Sequence, residues 1–139
     1  MTALTLCALA LTLGVQPYDK AFDDAQAKGQ PLLVLVGAEW CPGCVTMKER
    51  VLPKLEQAGK LGRVSLTVVD ADADADLAGR LMRGNAIPQL IVFSKKADGG
   101  WHREQLTGAV AGEQVEALID RAIGQQAQVD APAATTAQK

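Results

Sequence analysis

The stretch Leu32-Leu33-Val34-Leu35-Val36 and the segment Trp40-Cys41-Pro42-Gly43-Cys44 that follows it decide the fold of this chain. An unbroken apolar run of this length is typical of a strand that helices cover on both faces of a sheet. Two cysteines separated by two residues, placed where a strand hands over to a helix, indicate a redox-active dithiol. The sequence therefore predicts a reactive pair, Cys41 and Cys44, at the carboxyl end of a central strand.

The position of the pair predicts different roles for its two sulfurs. If Cys41 caps the following helix, its sulfur accepts hydrogen bonds from free backbone N–H groups and lies at the positive end of the helix dipole. Both interactions favour the thiolate, which is the form that attacks a disulfide. Pro42 suits the first helical position. Cys44 lies one turn further on, is expected to face the core, and is placed to resolve a mixed disulfide formed at Cys41.

The segment from Ala38 to Cys44, with the sequence AEWCPGC, resembles the active-site segment of the thioredoxin superfamily. Ile87-Pro88, before the apolar run Leu90 to Phe93, stands where that superfamily places its cis-proline. The resemblance covers about residues 18–124 and implies an α/β, thioredoxin-like fold with a central mixed four-stranded sheet flanked by helices. Within the superfamily the pattern is most similar to domains of periplasmic thiol reductants, such as the C-terminal domain of DsbD.

The resemblance also implies which residues bind substrate. Trp40 would shield the site and contact the substrate, together with Pro42 and Gly43, where the missing side chain lets a partner's backbone come close. Ile87 would offer its main chain to an extended substrate, and the loop carrying Pro88 would pack beside the reactive sulfur.

The chain departs from typical thioredoxins in the strand that leads to the pair. The superfamily places an acid six residues before the first cysteine, where it accepts the proton of the resolving thiol, and this position is Leu35. Gly37 stands where thioredoxin has a second tryptophan. Burial among apolar groups raises the pKa of a thiol, so deprotonation of Cys44 needs another acceptor. Glu39 is the nearest acid in the sequence and is the candidate, with an exposed loop carboxylate as the alternative.

We expect an enzyme, a protein disulfide reductase or oxidoreductase, with no cofactor other than the redox-active disulfide Cys41–Cys44. It would reduce disulfides of exported proteins and take electrons from a membrane thiol donor, because an oxidising compartment does not keep an isolated dithiol reduced. The alternatives are a binding or chaperone-like module with little turnover, a disulfide-donating oxidant, and a metal site at the two cysteines. Zinc takes four ligands and His102 is the only histidine, so no metal is expected.

Composition and the two chain ends give the expected organisation. The formal net charge of −2 comes from 14 basic and 16 acidic residues mixed along 139 positions, which predicts a monomer without a nucleic-acid partner. Residues 1–14 hold an uncharged apolar run typical of a signal peptide, so a periplasmic location is expected. A cytoplasmic location, or a membrane tether formed by residues 1–18, is the alternative. The domain would span residues 15–124, and residues 125–139, rich in Gln, Ala and Thr, would form a disordered tail.

Two further patterns concern the helices. Pro53 predicts a kink or a break just before it in the helix that begins at the cysteine pair. The alternating acids from Asp70 to Asp76 do not fit a calcium loop, because Ala75 and Leu81 stand where an EF-hand needs Gly and Glu. These carboxylates are expected to cap the next helix. The remaining predicted elements are a helix over 17–28, a strand over 64–69, a helix over 77–82, a hairpin of strands 90–93 and 101–106, and a helix over 112–123.

Overall fold

The computed structural model of the protein describes residues 15–130. A four-stranded mixed sheet lies at its centre, with the strand order β2-β1-β3-β4. The strands are β1 Leu32–Gly37, β2 Ser65–Asp70, β3 Gln89–Lys95 and β4 Trp101–Thr107. β1 runs parallel to β2 and antiparallel to β3, and β3 and β4 pair as an antiparallel hairpin. The α/β class and the mixed sheet expected from the sequence are confirmed.

Five α-helices flank this sheet among the described residues. They are α1 Tyr18–Lys28, α2 Pro42–Thr46, α3 Leu52–Gln57, α4 Ala75–Leu81 and α5 Gly112–Asp130. A short 3-10 helix, Leu61–Arg63, precedes β2. None of the helices within residues 15–130 is both long and apolar enough to cross a membrane. The predicted signal peptide, residues 1–14, lies outside the described part of the chain.

The two faces of β1 explain why its sequence has no polar residue. Leu32, Val34 and Val36 pack in one cluster with residues of α1 and α4. Leu33 and Leu35 pack in a second cluster with residues of α3 and α5. All five side chains are at most 1% exposed. The strand is therefore fixed by apolar contacts on both faces, and its carboxyl end delivers the cysteine segment to the edge of the sheet.

The helix that begins at the cysteine pair does not break before Pro53. It continues through a π-helical turn, Met47–Val51, in which the Leu52 N–H donates to the carbonyl of Met47. Pro53 is the second residue of α3 and follows this π-helical turn directly. The wider turn keeps Met47 and Leu52 fully buried, so a change of helical pitch replaces the expected break.

The acidic segment after β2 supplies the cap that the sequence predicts. The carboxylate of Asp74 accepts a hydrogen bond from the Leu77 N–H at 3.4 Å, and α4 begins at Ala75. The carboxylate of Asp70 accepts from the Asp72 N–H at 2.8 Å and holds the turn between β2 and α4. The capping role is confirmed for Asp74.

The last helix is longer than the sequence predicts. α5 runs to Asp130, so residues 125–130 are helical and do not belong to a disordered tail. Gln126, 4% exposed, accepts a hydrogen bond from the Lys95 N–H at 3.1 Å, and Gln125 accepts from the Ser94 hydroxyl. Polar side chains that satisfy the end of β3 extend the helix, and the expected domain end at residue 124 moves to at least 130. Residues 131–139 lie outside the described part.

Candidate active site

Cys41 caps the helix that carries Cys44. Its backbone is extended, with φ −90° and ψ 113°, and Pro42 is the first residue of α2. The Cys44 N–H donates to the sulfur of Cys41 at 3.3 Å. This contact directs a backbone donor and the start of a helix at the sulfur of Cys41, so the cap predicted from the sequence is present.

The two cysteines differ in their polar surroundings rather than in exposure. Cys41 is 7% exposed and Cys44 is 5% exposed, and no disulfide joins them in this structure. Burial, followed by a side-chain hydrogen bond with Cys41, raises the pKa of the Cys44 thiol to about 11. Cys44 therefore holds its proton at neutral pH, whereas Cys41 receives a hydrogen bond from the backbone.

The loop before β3 lies against the other side of Cys41. The thiol of Cys41 points at the carbonyl oxygen of Ile87 at a sulfur–oxygen distance of 3.9 Å, and the Ile87–Pro88 peptide bond is cis. A methyl group added at Gly43 would lie 3.4 Å from both the Pro88 ring and the Ala109 side chain. Gly43 therefore lies next to this loop, at a distance where a Cβ atom would touch it.

Trp40 stands out from the surface beside the pair. Its side chain belongs to the few large apolar groups that are exposed, at 70% of its area. The indole N–H donates to the carboxylate of Asp72 at 2.7 Å. Asp72 was not predicted as a site residue, because its spacing in the acidic segment is the same as that of the capping Asp74. The contact spans 32 residues of sequence, and no local pattern indicates it.

A cavity of about 230 Å³ opens on the far side of Cys44. Leu35 and Gly37 form part of its wall, and the charged residues that line it are Glu39, Lys48, Glu49 and Asp70. Glu39 is exposed and shares this cavity with Cys44. Among the hydrogen bonds of residues 15–130, none joins Glu39 directly to Cys44, so a proton would have to cross the cavity through water.

His102 lies away from the pair, in β4. It is paired in register with Ser94, at the end of the hairpin remote from Pro88, and its Nε2 lies 3.5 Å from a carboxylate oxygen of Glu104. Within the described range 15–130, no three His, Cys, Asp or Glu side chains come together as a metal-binding group.

A helix-capping cysteine pair, set after the central strand of a mixed sheet and facing an Ile-Pro loop, defines a thioredoxin-like protein. The family model of the thioredoxin-like domain matches residues 18–123, and the chain belongs to this family. No curated protein sequence matches the chain.

Solved thioredoxin structures share the fold. A thioredoxin from Thermus thermophilus is 23% identical, with a TM-score of 0.69, and the match covers 91% of this chain and 100% of that one. Trxlp from Edwardsiella tarda is 27% identical, with a TM-score of 0.58, over 76% of this chain and 97% of that one. Mitochondrial thioredoxin 3 from Saccharomyces cerevisiae is 24% identical, with a TM-score of 0.57, over 73% and 88%. The finer resemblance to the C-terminal domain of DsbD stays a prediction.

Proposed function

We propose that this chain is a thiol–disulfide oxidoreductase that reduces protein disulfides through Cys41 and Cys44. The observation that carries the proposal is the hydrogen bond from the Cys44 N–H to the Cys41 sulfur at the start of α2. It directs a backbone donor and the start of a helix at the Cys41 sulfur, which marks this sulfur as the one that attacks a disulfide, and it leaves Cys44 as the protonated second thiol.

The reaction has two exchange steps. In the first, the thiolate of Cys41 attacks one sulfur of the substrate disulfide, a mixed disulfide forms, and the other substrate sulfur leaves as a thiolate that takes up a proton. In the second, Cys44 loses its proton and attacks the sulfur of Cys41. The bond between Cys41 and the substrate breaks, the second substrate thiol is released, and two electrons have passed from the protein to the substrate.

The proposed substrate surface surrounds Cys41. Exposed Trp40 and Pro42 form one side, and Gly43 keeps the approach to the sulfur free of a side chain. On the other side, half-buried Ile87 would bind an extended substrate through its main chain, next to buried Pro88. Main-chain recognition of this kind suits a reductase that acts on several sequences, because it does not depend on substrate side chains.

Glu39 is the proposed proton acceptor for the second step. The superfamily position for this role is Leu35, which is apolar and fully buried here. Glu39 and Cys44 line the same cavity, which is large enough for water to bridge them. Glu39 would therefore act through solvent rather than by direct contact.

The compartment and the partners form part of the proposal. The apolar segment over residues 1–14 supports export to the periplasm, where protein disulfides are the substrates and a membrane thiol donor keeps the pair reduced. No nucleic acid, metal or further cofactor takes part, and the working unit is a monomer. The reduction potential of the pair tests the direction. A value near ~−270 mV fits a reductase, and a value near ~−120 mV would make the chain a disulfide donor.

Trapping tests the division of roles. In the full chain carrying Cys7→Ser, the additional change Cys44→Ser should stop turnover of insulin and leave a stable mixed disulfide at Cys41, visible as a mass increase. Cys41→Ser should abolish both turnover and trapping. If the parent chain binds insulin but does not reduce it, the alternative of a binding module replaces this proposal.

A further inference from the structure

We infer that Gly37 is a positioning residue for the resolving cysteine, an inference that rests on the proposed dithiol exchange. The last residue of β1 carries no side chain, and the side chain of Cys44 occupies the space next to its Cα. Because position 37 has no side chain, the Cys44 sulfur can lie in the position from which it attacks Cys41.

In the packing of this chain, the distances leave no room for a Cβ atom at position 37 unless Cys44 moves. A Cβ atom built on Gly37 would lie 2.8 Å from the Cβ of Cys44 and 2.8 Å from its sulfur. Ordinary van der Waals contacts of a Cβ atom fall between 3.4 and 4 Å, so Cys44 would have to move or turn away. Both atoms belong to the chemistry-bearing side chain, and one of them is the attacking sulfur itself.

The backbone at this position does not explain the glycine. The φ angle of Gly37 is not positive, so its backbone conformation does not require a glycine. It pairs with Asp70 as an ordinary strand residue, and its carbonyl accepts a hydrogen bond from the Ala71 N–H at 2.8 Å. The close approach of Cys44 is therefore the feature that requires a glycine here.

The alternation of side chains along β1 shows that a side chain at position 37 would point toward the face of the sheet covered by the helix that carries Cys44. Side chains alternate along β1, so position 37 lies on the same face as Leu33 and Leu35, which pack toward α3 and α5. Gly37 and Cys44 also line the cavity that holds Glu39. A side chain at position 37 would thus displace the thiol and narrow its route to the proposed proton acceptor.

The affected step is the second exchange. The Cys44 thiolate forms a bond to the Cys41 sulfur, the bond between Cys41 and the substrate sulfur breaks, and the departing thiolate takes up a proton. In the first exchange only the Cys41 sulfur forms a bond to the substrate, and the contact from Cys44 on which the proposed function rests is its backbone N–H rather than its thiol. Displacement of Cys44 should therefore slow the second step and leave the first unchanged.

The test uses the full chain with Cys7→Ser, reduced and mixed with 5,5′-dithiobis(2-nitrobenzoate). Attack by Cys41 releases one equivalent of the coloured thiolate, and resolution by Cys44 releases the second. With Gly37→Ala, the first release should keep its rate, and the second should slow by at least tenfold, since a misplacement of about 1 Å can cost on the order of 10²-fold. Mass spectrometry should detect the accumulated adduct at Cys41. Gly79→Ala is the matched control, because a Cβ there meets open space.

An unchanged second release in Gly37→Ala would overturn the inference, and so would an equal slowing of both releases, which indicates general loss of structure. If Gly37→Ala does not fold, it is combined with Cys44→Gly, which removes both atoms in the way. Recovery of thermal unfolding close to that of Cys44→Gly alone supports the inference, and no recovery overturns it. Failure of the proposed function is distinguishable, since it would appear as absent insulin reduction by the parent chain.

Discussion

The pH dependence of the second exchange step should reveal how Cys44 loses its proton. Burial raises the pKa of Cys44 to about 11, so roughly 1 in 10⁴ molecules would carry the Cys44 thiolate at pH 7. The neutral thiol is the form that the fold favours, and the ionised fraction rises about tenfold with each pH unit up to the pKa. In the mixed disulfide Cys41 is bonded to substrate and burial is the main cause of the shift that remains, so about 10⁴ is an upper limit on what a base can contribute at pH 7. Without a proton acceptor, the rate of resolution should rise with pH in proportion to the ionised fraction of Cys44.

With Glu39 as a base, the rate of resolution at neutral pH should exceed the rate expected from the ionised fraction of Cys44 alone. A positioned general base contributes typically 10²–10⁴-fold. Because Glu39 would act through water across the cavity, we expect the lower end of this range, about 10²-fold at pH 7. The parent chain should therefore show a shallow profile between pH 6 and 8. Glu39→Gln should steepen the profile to about tenfold per pH unit, and its deficit should shrink as the pH approaches 10.

Stopped-flow measurement of the second thiolate release between pH 6 and 10 checks this expectation, again in the Cys7→Ser chain. Glu56→Gln is the control, since Glu56 is exposed and lines a separate cavity near the amino ends of β1 and β2. Parallel profiles for the parent and Glu39→Gln would refute the role of Glu39. A parent profile that rises tenfold per unit throughout would show that no base acts on Cys44.

The other expectations concern one contact beside the site and one at the end of the domain. Asp72→Ala removes the acceptor for the Trp40 indole, a hydrogen bond at the surface that we value at ~1 kcal/mol. Loss of this bond should raise the KM for insulin about fivefold. Asp72→Asn keeps an acceptor and should leave the KM unchanged. Equal KM values in the parent, Asp72→Ala and Asp72→Asn would rule out orientation of Trp40 by Asp72. Gln126→Ala removes the acceptor of the Lys95 N–H, a part-buried hydrogen bond, and should lower the free energy of unfolding by about 1 kcal/mol in urea titrations. Exposed Gln128→Ala should change it by under ~0.5 kcal/mol, and a similar loss in both variants would contradict the docking of α5 at β3.

Local sequence signals predicted the core of this fold well. The five apolar residues of β1 identify a strand buried on both faces, since each face needs its own helices. The cap at Cys41 and the cap at Asp74 depend on residues three or fewer positions away, so their spacing in the sequence predicts them. In these parts of the structure, contacts between residues close in sequence determine the conformation.

Contacts between distant segments account for what the sequence did not predict. Gln125 and Gln126 are polar and predict a solvated tail, but the end of β3 offers them a hydroxyl and a backbone N–H. Pro53 predicts a kink or a break because the signal is local, and the structure shows a π-helical turn in place of a break, with Met47 and Leu52 both buried. In each case a tertiary contact outweighs the local preference.

The two departures from typical thioredoxins, Leu35 in place of an acid and Gly37 in place of a tryptophan, are linked by the energetics of the core. A carboxylate at position 35 would lie among apolar side chains and would have to be desolvated, which is costly for a charged group. Leu35 removes this cost and packs the core, but it leaves Cys44 without an adjacent base. The vacancy at Gly37 joins Cys44 to a cavity whose carboxylates reach solvent. Under the two proposals, proton transfer in this chain moves from the buried strand to the protein surface, where the exposed side chain of Glu39 does not have to be desolvated.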